Sequence, residues 1–282
     1  LTWNRASRFN RGSGFTIGTD NNDYITRYLS NDYAVKWLNQ ATKAVQLGEK
    51  KVADGEADLY PYYKNVIQMA RIWRAYLNSE VSDGFGPIPA LDAFSGVPGE
   101  YDSVDAIYTF ILKELKEAEA ALDPSIDMSP MSAEDAFYAG NVSMWKKYAN
   151  SLRMRLAMRI SAVEPDKACV EFQEGLNNEY GVFEAETERV AVSTKSGYTN
   201  PLGELNLVWN ETYMSASMES ILTGYDDPRI AVYFAPCTDE QFKNTYRGIR
   251  QGTCFSHSHY TGLSKLTVTQ TTDAALMTSS EI

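Results

Sequence analysis

The fold is decided by the stretch Asn141-Val-Ser-Met-Trp-Lys-Lys-Tyr-Ala-Asn-Ser-Leu-Arg-Met-Arg-Leu-Ala-Met-Arg-Ile-Ser161. Its apolar residues recur every three or four positions, which places them on one face of an α-helix. Asn141 or Ser143 is suited to cap this helix, and Pro165 marks the latest point at which it ends. The apolar face comprises Trp145, Tyr148, Ala149, Leu152, Leu156, Ile160 and Val163, widened by Met154 and Met158. A long helix with so broad an apolar face is typical of a central packing element, so the sequence predicts a mainly α-helical body.

Three further helices are predicted before this central helix and one after it. The first begins near Asn31 or Asp32 and ends at Asp54-Gly55, and the second runs from about Leu59 to the turn-forming loop 82–89. The third is capped by Ser103 and ends at Asp123-Pro124, and the last follows Pro165. In the second helix the predicted apolar stripe is Tyr62, Val66, Met69, Trp73 and Leu77.

The remaining faces of these helices give three more expectations. In the third helix the charged residues favour a solvated face, because they form pairs three or four positions apart: Lys113, Glu114, Lys116, Glu117 and Glu119. In the last helix the inward residues are Ala168, Phe172 and Leu176, and Cys169 is expected to be buried as a small apolar residue. One helical turn is predicted over 133–138, just before the central helix.

The periodicity weakens from about residue 182. Arg189–Ser193 favours a short strand and Ser217–Thr223 a short helix, whereas the rest is irregular. We therefore expect one domain over 1–282, with a helical body over about 32–180 and an irregular layer over 1–31 and 182–276. The end of the sequence, 277–282, has the pattern of a helix cap and first turn, so we expect the intact protein to continue past it.

Composition and charge narrow the function classes. The net charge is -11, which argues against nucleic-acid binding and against electrostatic docking on anionic lipid. No run approaches the roughly 18 apolar residues that a membrane span requires. The chain has 18 Tyr against 11 Phe, and tyrosine suits half-wet surfaces, although it also lines cores.

The cysteines and histidines leave one question open. The three cysteines are an odd number, and spacing alone does not show whether Cys237 and Cys254 pair. Cys254, His257 and His259 lie close together and include both histidines of the chain. Because the spacing indicates no further ligand, an ordinary polar loop is favoured over a metal site, and we predict neither a metal nor a cofactor.

Several stretches in order along the chain resemble the SusD/RagB-like family, and more narrowly its SusD-like second branch. They span about residues 60–282, and each resembles one segment of the family. The stretches are Asp83-Gly-Phe-Gly-Pro-Ile-Pro89, Tyr101-Asp-Ser-Val-Asp-Ala-Ile-Tyr108 with Leu115-Lys-Glu-Ala-Glu119, Trp145–Ser161, Asp227-Pro-Arg-Ile-Ala-Val-Tyr-Phe234 with Tyr246-Arg-Gly248, and Met277-Thr-Ser-Ser-Glu-Ile282.

The resemblance implies a mainly α fold in which tetratricopeptide-like helix pairs support an irregular, ligand-facing layer. It implies a surface lipoprotein of the Bacteroidetes outer membrane, anchored in the intact protein by an N-terminal lipid. Such proteins serve polysaccharide utilisation: they bind an oligosaccharide or polysaccharide and deliver it to a SusC-like TonB-dependent transporter. They are not enzymes, and the implied domain continues beyond residue 282.

Residues on aperiodic loops are the candidates for ligand binding, because binding residues concentrate there. Sugar rings stack on aromatic faces while Asn, Asp and Arg side chains bond the hydroxyl groups. Two sets fit this chemistry, each with the alternative that its tryptophan anchors a loop: Trp209 with Asn210, Tyr213, Tyr198 and Asn200, and Trp3 with Asn4 and Arg5.

Two other functions stay open at this point. A helical glycoside hydrolase would need two catalytic carboxylates, but most acidic residues fall on predicted solvated faces, and no catalytic residue is assigned. A helical-repeat scaffold that binds another protein is the second alternative. Neither a phosphate-binding loop nor a His-Glu-x-x-His motif is present in the sequence.

Overall fold

The structure is a computed structural model that describes residues 36–92, 99–190, 213–250 and 262–267. The chain divides into two compact units. We call residues 26–191 the helical unit and residues 192–281, together with 1–25, the irregular unit. Each unit is described by itself.

The described residues form five α-helices in the helical unit and two in the irregular unit. In the helical unit they are α1 (Asn39–Ala53), α2 (Tyr63–Phe85), α3 (Val104–Ala121), α4 (Val142–Ile160) and α5 (Pro165–Leu176). The irregular unit has α6 (Ala216–Gly224) and α7 (Arg229–Tyr233). Only isolated β-bridges, and no strands, connect extended segments of the described residues. The prediction of a mainly α fold is confirmed.

Two helix caps, Asn141 and Ser103, are those that the sequence predicts. The side chain of Asn141 accepts a hydrogen bond from the backbone of Met144 at 3.2 Å and so begins α4. Ser103 does the same for Ala106 at 3.2 Å and begins α3. Each cap satisfies a backbone N–H group that has no partner within its helix.

Successive helices of the helical unit are antiparallel neighbours. Asn65 at the start of α2 exchanges two hydrogen bonds of 2.8 Å with the backbone of Asp123, just after α3. At the other end of α2, Asp83 accepts a hydrogen bond of 2.6 Å from the hydroxyl of Tyr108, near the start of α3. Between α4 and α5 the backbones come close, since a Cβ added at Gly175 would lie 3.3 Å from the carbonyl oxygen of Asn150.

A connected set of aromatic rings crosses the core, and we call it the aromatic seam. It runs from Trp73 of α2 through Phe137 to Trp145 and Tyr148 of α4, and on to Phe183, with ring centroids 5.1–6.1 Å apart. The indole N–H of Trp145 donates to Asp135 at 2.8 Å. Burial raises the pKa of the Tyr148 hydroxyl well above its ordinary value, because the charged form would lie in the apolar core.

The expected single helical turn over 133–138 is a series of turns instead. The carboxylate of Asp135 organises them by accepting from the backbone N–H groups of Phe137 at 3.0 Å and Gly140 at 2.9 Å, as well as from Trp145. An aspartate that bonds its own following backbone favours a turn over a helix. In the predicted strand 189–193, the described residues Arg189 and Val190 are not in a strand, and the remainder lies outside the described residues.

The predicted solvated face of α3 is partly wrong. Glu114 is 7% exposed and Glu119 is 6% exposed. Glu114 is held by Arg71 and Arg74 of α2, and Glu119 accepts from Lys146 of α4. The helices on both sides of α3 carry these cations, and a pairing pattern within a single helix does not reveal partners from other helices.

Three further expectations about helix faces are corrected. In α5 the buried positions are Ala168 and Gly175, whereas Cys169 and Leu176 are exposed, because a helix turns about 100° per residue and Ala168 already faces inward. In α4, Met158 is exposed, and Val163 beyond its end is exposed too. In α2, Trp73 is only half-buried. The helices α1, α3 and α4 all pack on α2, so its buried residues are spread around the helix and do not form the single stripe that the sequence predicts.

The ion pairs of Glu114 give a test of this core. Glu114→Ala leaves Arg71 and Arg74 without their shared carboxylate, and we expect it to lower the free energy of unfolding by about 3–5 kcal/mol. Glu117→Ala is the matched control, because Glu117 also lies on α3 and pairs with Arg71 of α2, but its side chain is 48% exposed. We expect the control to cost about 0–1 kcal/mol in urea-induced unfolding.

The dependence of stability on pH separates an ion pair from simple packing. Burial by itself raises the pKa of the Glu114 carboxyl, but the hydrogen bonds from Arg71 and Arg74 outweigh it and lower the pKa below 4.5. A lowered pKa means that the ion pairs stabilise the fold above about pH 4.5. This stabilisation is lost as the pH falls through the pKa that Glu114 has in the folded protein. Glu114→Gln should therefore lose less stability than the wild type on acidification. Equal losses in both, or equal costs for Glu114→Ala and Glu117→Ala, contradict this account.

Candidate functional site

Most of the predicted binding residues lie outside the described residues. These are Trp3, Asn4, Arg5, Tyr198, Asn200, Trp209 and Asn210. The same holds for Cys254, His257 and His259 and for the predicted helix start at 277–282. Tyr213 is the one predicted binding residue that the structure describes.

Tyr213 is fully buried, at 0% exposure. Its ring packs against Ile249 and Leu263 in a small apolar cluster, and the ammonium of Lys265 lies 5.1 Å from the ring centroid. Burial lowers the pKa of Lys265, because water no longer fully solvates its charged form. The ring of Tyr213 therefore packs in the irregular unit and leaves no open face for a ligand.

The backbone around Tyr213 is held by several neighbouring segments. Met214 donates to Ser264 at 2.8 Å and accepts from Ile249 at 2.8 Å, and Ala216 donates to Ile249 at 2.9 Å. The hydroxyl of Ser215 then accepts from Met218 at 3.2 Å and caps α6. The chain that follows Trp209 and Asn210 in sequence is thus fixed within three residues of Asn210.

Gly248 allows the closest backbone approach in this arrangement. A Cβ at this position would lie 2.3 Å from the carbonyl oxygen of Ser215, which no side chain can tolerate without a backbone shift. The carboxylate of Glu219 accepts from the backbone of Gly248 at 2.7 Å and from Arg247 at 2.9 Å. The Tyr246-Arg247-Gly248 stretch therefore has a structural role in joining α6 to the neighbouring segment.

The Asp227-Pro228-Arg229 stretch is likewise structural. Asp227 accepts from the backbone of Arg229 at 3.0 Å and from its guanidinium at 2.9 Å. These hydrogen bonds lower the pKa of the Asp227 carboxyl to about 2. Cys237 is buried, with its sulfur 3.4 Å from the hydroxyl of Ser264, and its candidate partner Cys254 lies outside the described residues.

In the helical unit, the loop after α2 is fixed at its start by Asp83. Its carboxylate accepts from Tyr108 of α3 at 2.6 Å and pairs with Arg159 of α4 at 2.6 Å. Burial, and secondarily the hydrogen bond to Asp83, raise the pKa of the Tyr108 hydroxyl well above its ordinary value. Three helices are therefore joined at the point where the loop leaves the helical core.

Asp102 fixes the other limb of this loop. Its backbone N–H donates to Ile88 at 3.0 Å, and its carboxylate accepts from the backbones of Ala90 at 2.8 Å and Leu91 at 2.9 Å. Phe85 and Tyr101, on the two limbs, have exposed rings, and Tyr101 is 71% exposed.

Sequence reasoning missed these two rings as candidate contacts. For Phe85 the available signal was its position between Gly84 and Gly86, where the second predicted helix meets the turn-forming loop; in the structure it is the last residue of α2. An exposed ring on a loop that hydrogen bonds hold in place is suited to stack on a sugar face without large ordering costs.

Other kinds of site receive no support from the residues that the structure describes. They contain no group of three or more His, Cys, Asp or Glu side chains arranged to hold a metal ion. No helix within these residues is both long and apolar enough to cross a bilayer. Among the described residues of the helical unit, Phe85 and Tyr101 are exposed aromatic residues that border the loop after α2.

The chain belongs to the SusD-like family, described as the SusD and RagB outer membrane lipoproteins, whose family model matches residues 7–282. This confirms the resemblance that the sequence motifs predict. The family description places its members at the outer membrane as lipoproteins. No curated protein matches the chain.

Solved structures of family members have the same fold. A SusD homologue from Bacteroides vulgatus is 27% identical, with a TM-score of 0.75, over 98% of this chain and 52% of the homologue. A chitin-binding SusD homologue from Flavobacterium johnsoniae is 29% identical, with a TM-score of 0.73, over 93% of this chain and 54% of the homologue. The chain thus spans about half the length of these relatives.

The close approach at Gly248 gives a test of the irregular unit. Gly248→Ala places a methyl group against the backbone of Ser215, and we expect a loss of about 1–3 kcal/mol in the free energy of unfolding. Gly224→Ala is the control, since a Cβ there meets nothing within 4 Å. Thermal unfolding of both variants checks this, and an unchanged melting temperature in Gly248→Ala would show that the approach is not as close as the structure has it.

Proposed function

We propose that this protein is a carbohydrate-capturing lipoprotein of the outer membrane that binds a glycan and passes it, chemically unchanged, to a SusC-like TonB-dependent transporter. The observation that carries the proposal is membership of the SusD-like family over residues 7–282. The family description states that the members are lipoproteins of the outer membrane. Attachment through an N-terminal lipid, exposure at the cell surface and the partnership with a transporter are part of the proposal for the intact protein.

A glycan is the ligand class that the comparisons favour. The homologue from Flavobacterium johnsoniae, which shares the fold at 29% identity, is chitin-binding. Polymers of N-acetylglucosamine are therefore the first ligands to test on this chain. At this level of identity the particular sugar does not transfer, so starch and xylan belong in the same panel.

The candidate contact residues are aromatic and polar side chains on loops. In the irregular unit we propose Trp209 as the stacking ring, with Asn210, Tyr198 and Asn200 as hydrogen-bonding neighbours and Trp3, Asn4 and Arg5 as a second set. The buried ring of Tyr213 supports a positioning role, because it fixes the chain three residues beyond Asn210. In the helical unit we propose Phe85 and Tyr101.

Binding without catalysis agrees with how the buried carboxylates are used. Glycoside hydrolysis needs two carboxyl groups facing one sugar bond, one of them with a raised pKa. Among the described residues the two buried acids, Glu114 and Glu119, are paired with cations inside the helical core. The pKa of Glu114 is lowered, which is the opposite of what a general acid requires.

If loops bind the glycan, one tryptophan should affect mainly glycan binding and another mainly the stability of the fold. Trp209→Ala should leave the melting temperature nearly unchanged and weaken glycan binding by about 1–3 kcal/mol, by analogy with aromatic stacking on bases. Trp145→Ala should remove the centre of the aromatic seam and cost about 3–5 kcal/mol in the free energy of unfolding. Calorimetric titration against soluble glycol chitin, amylopectin and xylan, with a thermal melt of each variant, measures both.

Two outcomes oppose different parts of the proposal. If the wild type binds none of the polymers, glycan capture is contradicted. If it binds one of them and Trp209→Ala binds equally well, or melts early, then Trp209 is a structural anchor and the contacts must lie elsewhere. Hydrolysis products in the wild-type mixture would contradict binding without catalysis.

A further inference from the structure

The link between α1 and α2 carries three tyrosine rings in mutual contact at the surface. The ring centroid of Tyr60 lies 6.0 Å from that of Tyr62 and 5.9 Å from that of Tyr63, and the last two are 4.7 Å apart. We call these three residues the tyrosine cluster. Tyr60 is 47% exposed and the preceding Leu59 is 77% exposed. Part of the cluster is therefore open to a ligand.

The backbone beneath the tyrosine cluster is already ordered. The N–H of Tyr60 donates to Glu56 at 2.9 Å, and the N–H of Tyr63 donates back to Tyr60 at 3.2 Å. Pro61 restricts the chain between them, and the ring of Tyr62 packs against the helical core. A rigid aromatic surface loses little conformational entropy when it binds, which favours its use as a contact surface.

Charged and hydroxyl groups surround the rings. The ammonium of Lys51 lies 5.1 Å from the ring centroid of Tyr63 and donates to the carboxylate of Glu56 at 2.6 Å. The neighbouring Tyr63 side chain, and secondarily burial, raise the pKa of the Tyr62 hydroxyl. The surface thus combines ring faces with hydrogen-bond donors and acceptors.

We propose that the tyrosine cluster, with Lys51 and Glu56, is a second carbohydrate-contact surface of this protein. The proposal rests on the proposed function, because it assumes that the ligand is a glycan. The C–H face of a sugar ring stacks on Tyr60, while the carboxylate of Glu56 and the tyrosine hydroxyls bond the sugar hydroxyls. A partner protein would instead require an apolar centre, and here polar and charged groups border the rings on the side of Lys51 and Glu56.

The position of this surface determines which glycans can use it. The tyrosine cluster lies at the start of α2, whereas Phe85 and the loop that follows lie at its end, and α2 is 23 residues long. At the rise of an α-helix this is about 35 Å. A trisaccharide cannot reach both ends, but a polymer can, and two linked contacts increase the apparent affinity for the polymer alone.

Three variants test the proposal with a polymer and a short form of each sugar. The polymers are glycol chitin, amylopectin and xylan, and the short forms are the corresponding trisaccharides. Tyr60→Ala should weaken binding of the preferred polymer roughly five- to tenfold, at the lower end of the range for a stacked ring, and leave trisaccharide binding at the loops unchanged. Tyr60→Phe keeps the ring face and should retain most of the affinity. Leu59→Ala is the matched control, because it removes an even more exposed apolar neighbour that has no ring, and it should have no effect.

The outcomes distinguish a failure of this proposal from a failure of the proposed function. A wild type that binds a polymer while Tyr60→Ala binds it equally well overturns the second surface and leaves glycan capture in place. Equal losses in Leu59→Ala and Tyr60→Ala also overturn it, because they indicate general apolar contact. A wild type that binds none of the polymers removes the proposed function and this proposal together. Thermal melts of all three variants confirm that the fold is retained.

Discussion

The helical unit depends on the hydrogen bond from the indole of Trp145 to Asp135, 2.8 Å long, and on the ring contacts that this bond orients. Asp135 is also the acceptor that shapes the turns before α4, so one carboxylate sets both the start of the central helix and the orientation of its largest side chain. The aromatic seam then connects α2, the turns, α4 and Phe183 through successive ring contacts. A buried tryptophan such as Trp145 tolerates burial of its N–H group because that group has a partner.

Charged side chains fix how the helices pack around this seam. Glu114 joins α3 to α2, Lys146 joins α4 to Glu119 of α3, and Arg153 of α4 binds both Glu171 and Glu174 of α5. Ion pairs of this kind contribute little net stability, because desolvation offsets the attraction, but an unpaired member would be costly. They therefore select one arrangement of the helices, and the loops that leave the helical unit start from fixed positions.

The sequence predicts the existence of the main helices and the caps of α3 and α4, because periodicity and capping are local. It predicts Trp145 as a core residue for the same reason. It misses the burial of Glu114 and Glu119 and the exposure of Cys169, since each depends on which neighbouring helix covers which side. Tyrosine usage shows the same limit. Tyr148 and Tyr213 are buried, whereas Tyr60 and Tyr101 are exposed, and composition alone does not distinguish them. Several of the motifs that carry the family resemblance are structural turns.

The central claim is that loops bind the glycan while the helices support them. Hydrogen–deuterium exchange of the wild type, with and without a saturating amount of the polymer from the panel that binds best, tests it most directly. The account predicts slower exchange in peptides from 198–213 or 85–102, and no change in peptides from the interiors of α3 and α4. Protection confined to the helix interiors, or no protection at the loops despite measurable binding, would contradict it.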